Sequence, residues 1–117
     1  MAGRNELGRR GEQVAAAFIR DFGMRILQRN WRCRSGEIDI IARDGDTLVV
    51  VEVKTRSGRS HGTGLEAVNE DKVARLYGLA ARWLSGQGES FERIRIDVVA
   101  LELFAGQLVV RYERGVS

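Results

Sequence analysis

The sequence predicts an α/β fold in which a mixed sheet of about five strands is flanked by two helices. Five runs rich in Val, Ile and Leu are separated by turns that contain glycine, which is typical of strands. Two longer segments carry apolar residues at helical spacing. At 117 residues the chain can build one core but not two. We therefore expect a single domain over residues 1–117.

The first helix is predicted from Asn5, its expected cap, to Phe22, with Gly23 just past its end. Inside this helix, Gly8 and Gly11 each cost up to about 1 kcal/mol relative to alanine. Their expected benefit is a close approach of the helix backbone to the sheet.

The remaining elements follow in order. An edge strand is predicted over 24–34, a hairpin over 36–56, a loop over 57–64, a helix over 65–84, and two final strands over 91–103 and 108–114. In the second helix, Tyr77 and Trp83 are expected in the core.

The hairpin carries charges where a sheet core favours aliphatic side chains. Glu37 and Asp39 lie among isoleucines, and Glu52 and Lys54 follow a run of valines. Burying such groups is costly unless something pairs with them. Side chains alternate along a strand, so Glu52 and Lys54 share a face, as do Glu37 and Asp39. A turn of two or four residues places Asp39 on the Glu52 face, whereas a turn of three places it on the opposite one.

Two carboxylates beside a lysine are a chemically specific set. Asp39 and Glu52 offer the hard oxygen ligands that Mg²⁺ or Mn²⁺ prefers. Lys54 would then orient an attacking water or neutralise charge on a phosphoryl group. The competing interpretation is an ordinary Glu52–Lys54 ion pair on an exposed strand.

Four motifs carry a family resemblance that spans nearly the whole chain. They are G-x-x-G-E at 8–12, WRCRSGEIDII at 31–41, VEVKTR at 51–56 and RIDVV at 95–99. On these motifs the chain resembles the UPF0102 (YraN-like) family and, more distantly, PD-(D/E)xK nucleases of the archaeal Holliday-junction resolvase type. Ile38 stands where the nuclease label has proline. The resemblance implies a restriction-endonuclease-like core.

The resemblance also implies a function. It points to a Mg²⁺-dependent endonuclease, a phosphodiesterase that acts on DNA, with branched or junction DNA among its expected substrates. Glu12 would add a metal ligand, although a solvated helix glutamate is the alternative, and Glu37 is counted nearby as a further ligand. The predicted catalytic residues are Asp39, Glu52, Lys54 and Glu12.

Basic residues supply the predicted nucleic-acid contacts. The 19 Lys and Arg residues against 16 Asp and Glu residues give a net charge of +3 and a pI of about 9.6. Part of the acidic charge lies at the proposed site, so the remaining surface suits a polyanion. The predicted contacts are Arg9, Arg10, Arg32, Arg34, Arg56, Arg59 and Lys72.

Several of these contacts have a simpler alternative. Arg9 and Arg10 are also what a solubilised helix carries. Arginines interleaved with Trp31 are equally typical of an edge strand with one anchored aromatic. In the second helix, Lys72 lies within the apolar stripe, from which it either snorkels to water or reaches the carboxylates.

Other function classes stay open. One is a non-catalytic nucleic-acid-binding module that retains the fold. Another is an interaction protein that binds a partner through the 57–64 loop, where His61 is an unfavoured candidate for a general base. Asp97 is interpreted either as an acid that orients Lys54 or Arg95, or as half of an Arg95–Asp97 surface pair.

The composition of the chain excludes some kinds of site and indicates a cellular location. A lone cysteine, Cys33, excludes an internal disulfide and is expected to be a small buried residue. With a single histidine, a usual zinc site is also excluded. No apolar run is long enough to span a membrane, so a cytoplasmic location is expected. Oligomeric state stays open, and the resemblance to junction resolvases implies a homodimer.

Overall fold

The computed structural model describes residues 2–57 and 69–116, with side-chain environments from residue 6 onwards. Its elements are α1 (Ala2–Asp21), β1 (Arg25–Cys33), β2 (Gly36–Asp44), β3 (Thr47–Ser57), α2 (Glu70–Ser85), β4 (Arg93–Phe104) and β5 (Gln107–Glu113). The strands form one sheet in the order β1-β2-β3-β4-β5. β3 and β4 run parallel, and the other neighbours run antiparallel. The predicted α/β fold is confirmed.

The middle strand, β3, is buried on both faces because one helix covers each side of the sheet. Val49 and Val51 pack in the cluster that contains α1. Leu48 and Val50 pack in the cluster that contains α2. A strand covered on both faces has an uninterrupted aliphatic sequence, which explains the run of valines in front of Glu52.

Helix α1 begins at Ala2, so the prediction that Asn5 caps it is wrong and Asn5 lies inside the helix. The predicted end is confirmed. Gly23 has a φ of 87°, the left-handed conformation that favours glycine. The Gly23 N–H donates to Arg20 O at 2.9 Å, and the Met24 N–H donates to Ile19 O at 3.3 Å. This pair of bonds satisfies the last helical carbonyls and turns the chain into β1.

Gly8 and Gly11 of α1 differ in role. A Cβ at Gly11 would overlap the Thr55 hydroxyl on β3, so the predicted close approach is confirmed there. A Cβ at Gly8 would meet nothing within 4 Å. The predicted close approach at Gly8 is therefore wrong, because one turn before Gly11 the helix does not contact the sheet at this position.

Helix α2 is capped by Asn69, whose side chain accepts a hydrogen bond from the Lys72 N–H at 2.9 Å. The residues 65–68 of the predicted helix and the residues 58–64 of the predicted loop, including Arg59 and His61, lie outside the described residues. Trp83 is 5% exposed, and Tyr77 packs against the same cluster. The predicted core position is confirmed for Trp83, whereas Tyr77 is half-buried at the margin of the cluster.

A buried ion network ties β4 to β5. Asp97 is 0% exposed and accepts from Arg95 Nε at 2.9 Å and Arg95 Nη2 at 3.0 Å. It also accepts from the Tyr112 hydroxyl at 2.6 Å and the Gly115 N–H at 2.9 Å. Arg95 continues to Asp44 at 3.1 Å. The interpretation of Arg95–Asp97 as a surface pair is wrong, because β5 and the chain after it cover the carboxylate.

Two sequence predictions concern the lone cysteine and the absence of a membrane span. Cys33 is half-buried and free, so the prediction of a buried residue is only partly met, since β1 is an edge strand. Among the described residues, neither helix has the length and apolar character needed to cross a membrane.

Candidate active site

The turn of the β2–β3 hairpin sets the geometry of the site. Asp44 pairs with Thr47, so the connection is a two-residue loop, and the register continues to Ile40 opposite Val51. This is the even register that sequence reasoning required. Continued by one residue, it places Asp39 opposite Glu52.

Pairing between β2 and β3 stops at this point. Ile40 packs on the α1 side, whereas Ile38, two residues earlier, packs on the α2 side. The regular alternation of side chains along β2 is therefore interrupted at Asp39. Where a continued ladder would use a β2 carbonyl, the Val53 N–H instead donates to Asp39 Oδ2 at 2.8 Å. The carboxylate is thus held by the backbone at the place where the two strands separate.

Asp39 lies in an environment that disfavours its charge. Its pKa is raised from 3.8 to about 7, chiefly because burial strips the carboxylate of water. The Val53 N–H opposes the shift, and the neighbouring charges of Glu52, Glu12 and Glu37 add to it. The predicted acids therefore act electrostatically on one carboxyl group.

Glu52 is the buried anion of the site. It is 6% exposed, and its Oε2 lies 3.1 Å from Lys54 Nζ and 3.2 Å from Lys72 Nζ. Two cations on one oxygen explain how a carboxylate is tolerated in a strand that is otherwise aliphatic. Lys72 reaches the carboxylate, which decides between the two alternatives left open for it, and the Asn69 cap fixes the helix turn that carries it.

The other predicted acids lie further out. Glu12 is half-buried on α1. Glu37 is exposed, and its Oε1 lies 3.9 Å from Nε of the exposed Arg32, an interaction worth little in water. Both carboxylates raise the pKa of Asp39.

The site offers the carboxylates of Asp39 and Glu52 as ligands for a divalent cation. Within residues 2–57 and 69–116, no three acidic, histidine or cysteine side chains converge closely enough to hold a metal. Two carboxylates do come together, and each keeps an oxygen, Asp39 Oδ1 and Glu52 Oε1, without a hydrogen bond to a described residue. Mg²⁺ commonly binds one or two carboxylates and completes its shell with water and substrate phosphate. The pair fits that mode, and ligation by Glu12 and Glu37 stays a prediction.

The predicted arginine contacts are distributed around this cluster. Arg9 and Arg10 are exposed on α1, Arg34 is exposed in the β1–β2 turn, and Arg56 is half-buried on β3. Their role with nucleic acid stays a prediction. Sequence reasoning missed the Val53 N–H as the anchor of Asp39, because a backbone donor leaves no signal in the sequence.

The Gly11 contact gives a first testable prediction. We expect Gly11→Ala to lower the free energy of unfolding by about 1–3 kcal/mol, because the new Cβ overlaps Thr55. The steric loss outweighs the helix propensity gained. Thr55→Ala in the same chain should recover most of the loss. Urea unfolding of both variants checks this, with Gly8→Ala, which meets no atom, as a control expected to be neutral or stabilising.

The family model and the relatives that match this chain all have the same family name. The family model described as "Uncharacterised protein family UPF0102" matches residues 11–101. A UPF0102 protein of Kineococcus radiotolerans is 50% identical over 116 residues, covering 97% of this chain and 95% of the relative. One of Arthrobacter sp. strain FB24 is 50% identical over 118 residues, covering both chains completely. One of Nocardioides sp. is 49% identical over 115 residues, covering 97% and 93%.

Proposed function

This chain belongs to the UPF0102 family, and we propose that it is a metal-dependent endonuclease that hydrolyses phosphodiester bonds in DNA. The names of the relatives assign no reaction, so the proposal is supported by the site itself. The observation that carries it is the buried Glu52, which joins two lysines beside a carboxyl group of raised pKa. A buried charge cluster with a strongly perturbed pKa is a physical indication of a functional site.

The charge balance of the site suits a phosphodiester. Lys54 and Lys72 carry two positive charges against the single charge of Glu52 and the partly protonated Asp39. These four side chains together are neutral to slightly positive at pH 7, so the lysine side of the site attracts an anion, whereas the charges of Glu12 and Glu37 make the Asp39 side more negative.

Each residue has a proposed role. Asp39 and Glu52 would hold Mg²⁺ or Mn²⁺ through their uncommitted oxygens. When bound, the cation supplies Lewis acidity and neutralises charge at the scissile phosphate. Lys54 orients the attacking water, and Lys72 stabilises negative charge that develops on the phosphoryl oxygens. Glu12 and Glu37 keep the field at Asp39 negative enough to favour a cation.

The proposal is tested by following cleavage of duplex, single-stranded and four-way-junction DNA with Mg²⁺ or Mn²⁺. We expect at least one substrate to be cut, and we expect Lys54→Met to lower kcat by about 10²–10³-fold. Asp46→Asn, which changes an exposed turn acid far from the site, serves as the control and should cut at the wild-type rate. Absence of cleavage with every substrate and both metals would refute the nuclease.

The second candidate is a non-catalytic module that binds nucleic acid with the same fold. The observation that favours it is that Lys54 and Lys72 already neutralise Glu52, as in a structural ion cluster. Such a module should bind DNA equally well in EDTA and in the presence of metal. DNA recovered after incubation with metal should be uncut. The homodimer and the cytoplasmic location stay predictions.

A further inference from the structure

A cavity of about 310 Å³ lies beside α2, outside the carboxylate site. Its lining is formed by Arg75, Gly78, Leu79 and Arg82 of α2 and by Ser35 of the β1–β2 turn. We name it the α2 groove. Residues 75, 78 and 82 are spaced by three and four positions, so they form a single stripe along the helix.

The β1–β2 turn forms the opposite wall of the groove. Gly36 adopts a φ of 152°, and a Cβ on it would lie 3.2 Å from Leu79 Cδ1. The turn therefore sits directly on α2. Arg82 Nη1 donates to Ser35 Oγ at 3.3 Å and fixes this wall. Because Ser35 Oγ is the acceptor in that bond, its own proton remains free to donate to a ligand.

The groove is positively charged and lacks an internal anion. Arg82 bonds to a neutral hydroxyl, and within the described part of the chain Arg75 makes no ion pair, even with Asp71 one turn earlier. No carboxylate lines the cavity. Both guanidinium groups have N–H donors that are available to a ligand. An oxyanion is the expected ligand, since the planar guanidinium fork matches phosphate oxygens.

Gly78 keeps the groove open. It is exposed in the interior of α2, where glycine is a poor choice for helix stability. A Cβ there would meet nothing within 4 Å, so helix packing does not explain the glycine. A bare backbone between two arginines instead leaves room for a ligand to approach closely.

The α2 groove lies on the same helix as Lys72 of the candidate active site. Lys72, which contacts Glu52 at 3.2 Å, lies one helical turn before Arg75. The ten steps along the helix from Lys72 to Arg82 span about 15 Å of helix axis at 1.5 Å per residue. One strand of B-form DNA places a phosphate every 3.4 Å or so along its axis. A strand that enters at Lys72 thus brings further phosphates alongside the groove.

We propose that the α2 groove binds a backbone phosphate of a DNA strand beyond the scissile bond, with Arg75, Arg82 and Ser35 as donors. The identity of the polymer rests on the proposed function above. Binding to the groove needs neither metal nor chemistry, so it is measurable separately.

The test is fluorescence anisotropy of labelled single-stranded and duplex DNA with the full chain in EDTA. The double variant Arg75→Gln/Arg82→Gln should weaken binding about 10- to 100-fold and reduce the slope of log K against log salt by about 1, the value for one lost phosphate contact. The matched control, Arg20→Gln/Arg93→Gln, removes the same charge from exposed positions elsewhere and should change affinity less than about 3-fold. Equal effects of the two double variants would overturn the proposal.

Gly78→Ala separates binding from folding. The added methyl should raise the thermal midpoint, because alanine is the better helix former, and should lower DNA affinity about 3- to 10-fold by occupying the groove. Unchanged affinity would count against the groove as the phosphate site.

Three further outcomes identify which claim fails. If pyrophosphate binds through Arg75 and Arg82 while DNA affinity ignores both substitutions, the groove is a site for a small phosphoanion and the DNA assignment is overturned. If DNA is cut in a metal-dependent manner but Arg75→Gln/Arg82→Gln matches its control, only the groove proposal fails. If the groove variants lose binding and no substrate is cut, the groove proposal stands and the nuclease does not.

Discussion

The Asp39→Asn variant should be more stable than the wild-type chain at pH 8 and yet inactive as a nuclease. The raised pKa of Asp39, about 7, means that the folded state holds its proton more tightly than the unfolded state. Between about pH 4 and pH 7, the unfolded chain releases that proton first. The wild-type stability contributed by this group is therefore intact below pH 4 and decreases as pH rises to 7.

Asparagine removes the titration but keeps the structure. Its side-chain oxygen accepts from the Val53 N–H as the carboxylate does. The rise in the pKa of Asp39 from 3.8 to about 7 corresponds to roughly 4 kcal/mol if no solvent screening is allowed for. We expect about 1–3 kcal/mol of added stability at pH 8, because water reaches part of this half-buried group.

The measurement is urea unfolding of both proteins from pH 4 to pH 8. The difference in free energy of unfolding should be near zero at pH 4, rise towards pH 7 and then level off. Asp46→Asn makes the same chemical change at an exposed position and should show no such rise. A difference that is flat across the range would contradict the assigned environment of Asp39.

Activity should move in the opposite direction. Without the carboxylate, the site has one anionic oxygen donor fewer for the cation, and the cleavage rate is expected to fall at least about 10³-fold. Added Mg²⁺ or Mn²⁺ should also stabilise the wild-type protein more than the variant, since binding to the folded state shifts unfolding by mass action. A variant that is both more stable and inactive identifies a group retained for function at a cost in stability.

How much of this site could be predicted from sequence depends on the range of the interactions. Asp39 and Glu52 could be matched because a two-residue turn and a period of two fix their register locally. The reach of Lys72 to Glu52 was left as an alternative, because it depends on how α2 crosses the sheet. Gly8 and Gly11 look equivalent in the sequence, and only the path of α1 over Thr55 separates them.

The Asp97 network shows the same limit on a larger scale. The sequence places Arg95 and Asp97 two residues apart, which fits a surface pair as well as a buried one. What buries the carboxylate is Tyr112 and Gly115, from the next strand and the segment after it. The α2 groove also needs two distant segments, since its arginines meet Ser35 only after the β1–β2 turn docks on α2.

Asp97→Asn should be the most destabilising of the conservative substitutions considered for this chain, with a loss of about 3–5 kcal/mol in the free energy of unfolding. The carboxylate accepts four hydrogen bonds and is wholly buried. An amide cannot accept from both ends of the Arg95 guanidinium, so this largely buried cation keeps only Asp44 as its counter-ion. An arginine guanidinium stays protonated in proteins, so Arg95 cannot escape the penalty by losing its proton.

A graded series makes the prediction quantitative. Tyr112→Phe removes only the 2.6 Å hydroxyl bond and should cost about 1–2 kcal/mol, because Asp97 keeps three of its donors. Replacing Arg95 and Asp97 together by leucine and asparagine should cost less than the sum of the single substitutions, since neither charge is then left unpaired. Urea unfolding at pH 7 measures all of these, with Glu113→Gln, an exposed residue of β5, as the control. A loss below about 1 kcal/mol for Asp97→Asn would show that the network contributes little, and β5 would then be held by its backbone ladder and apolar contacts alone.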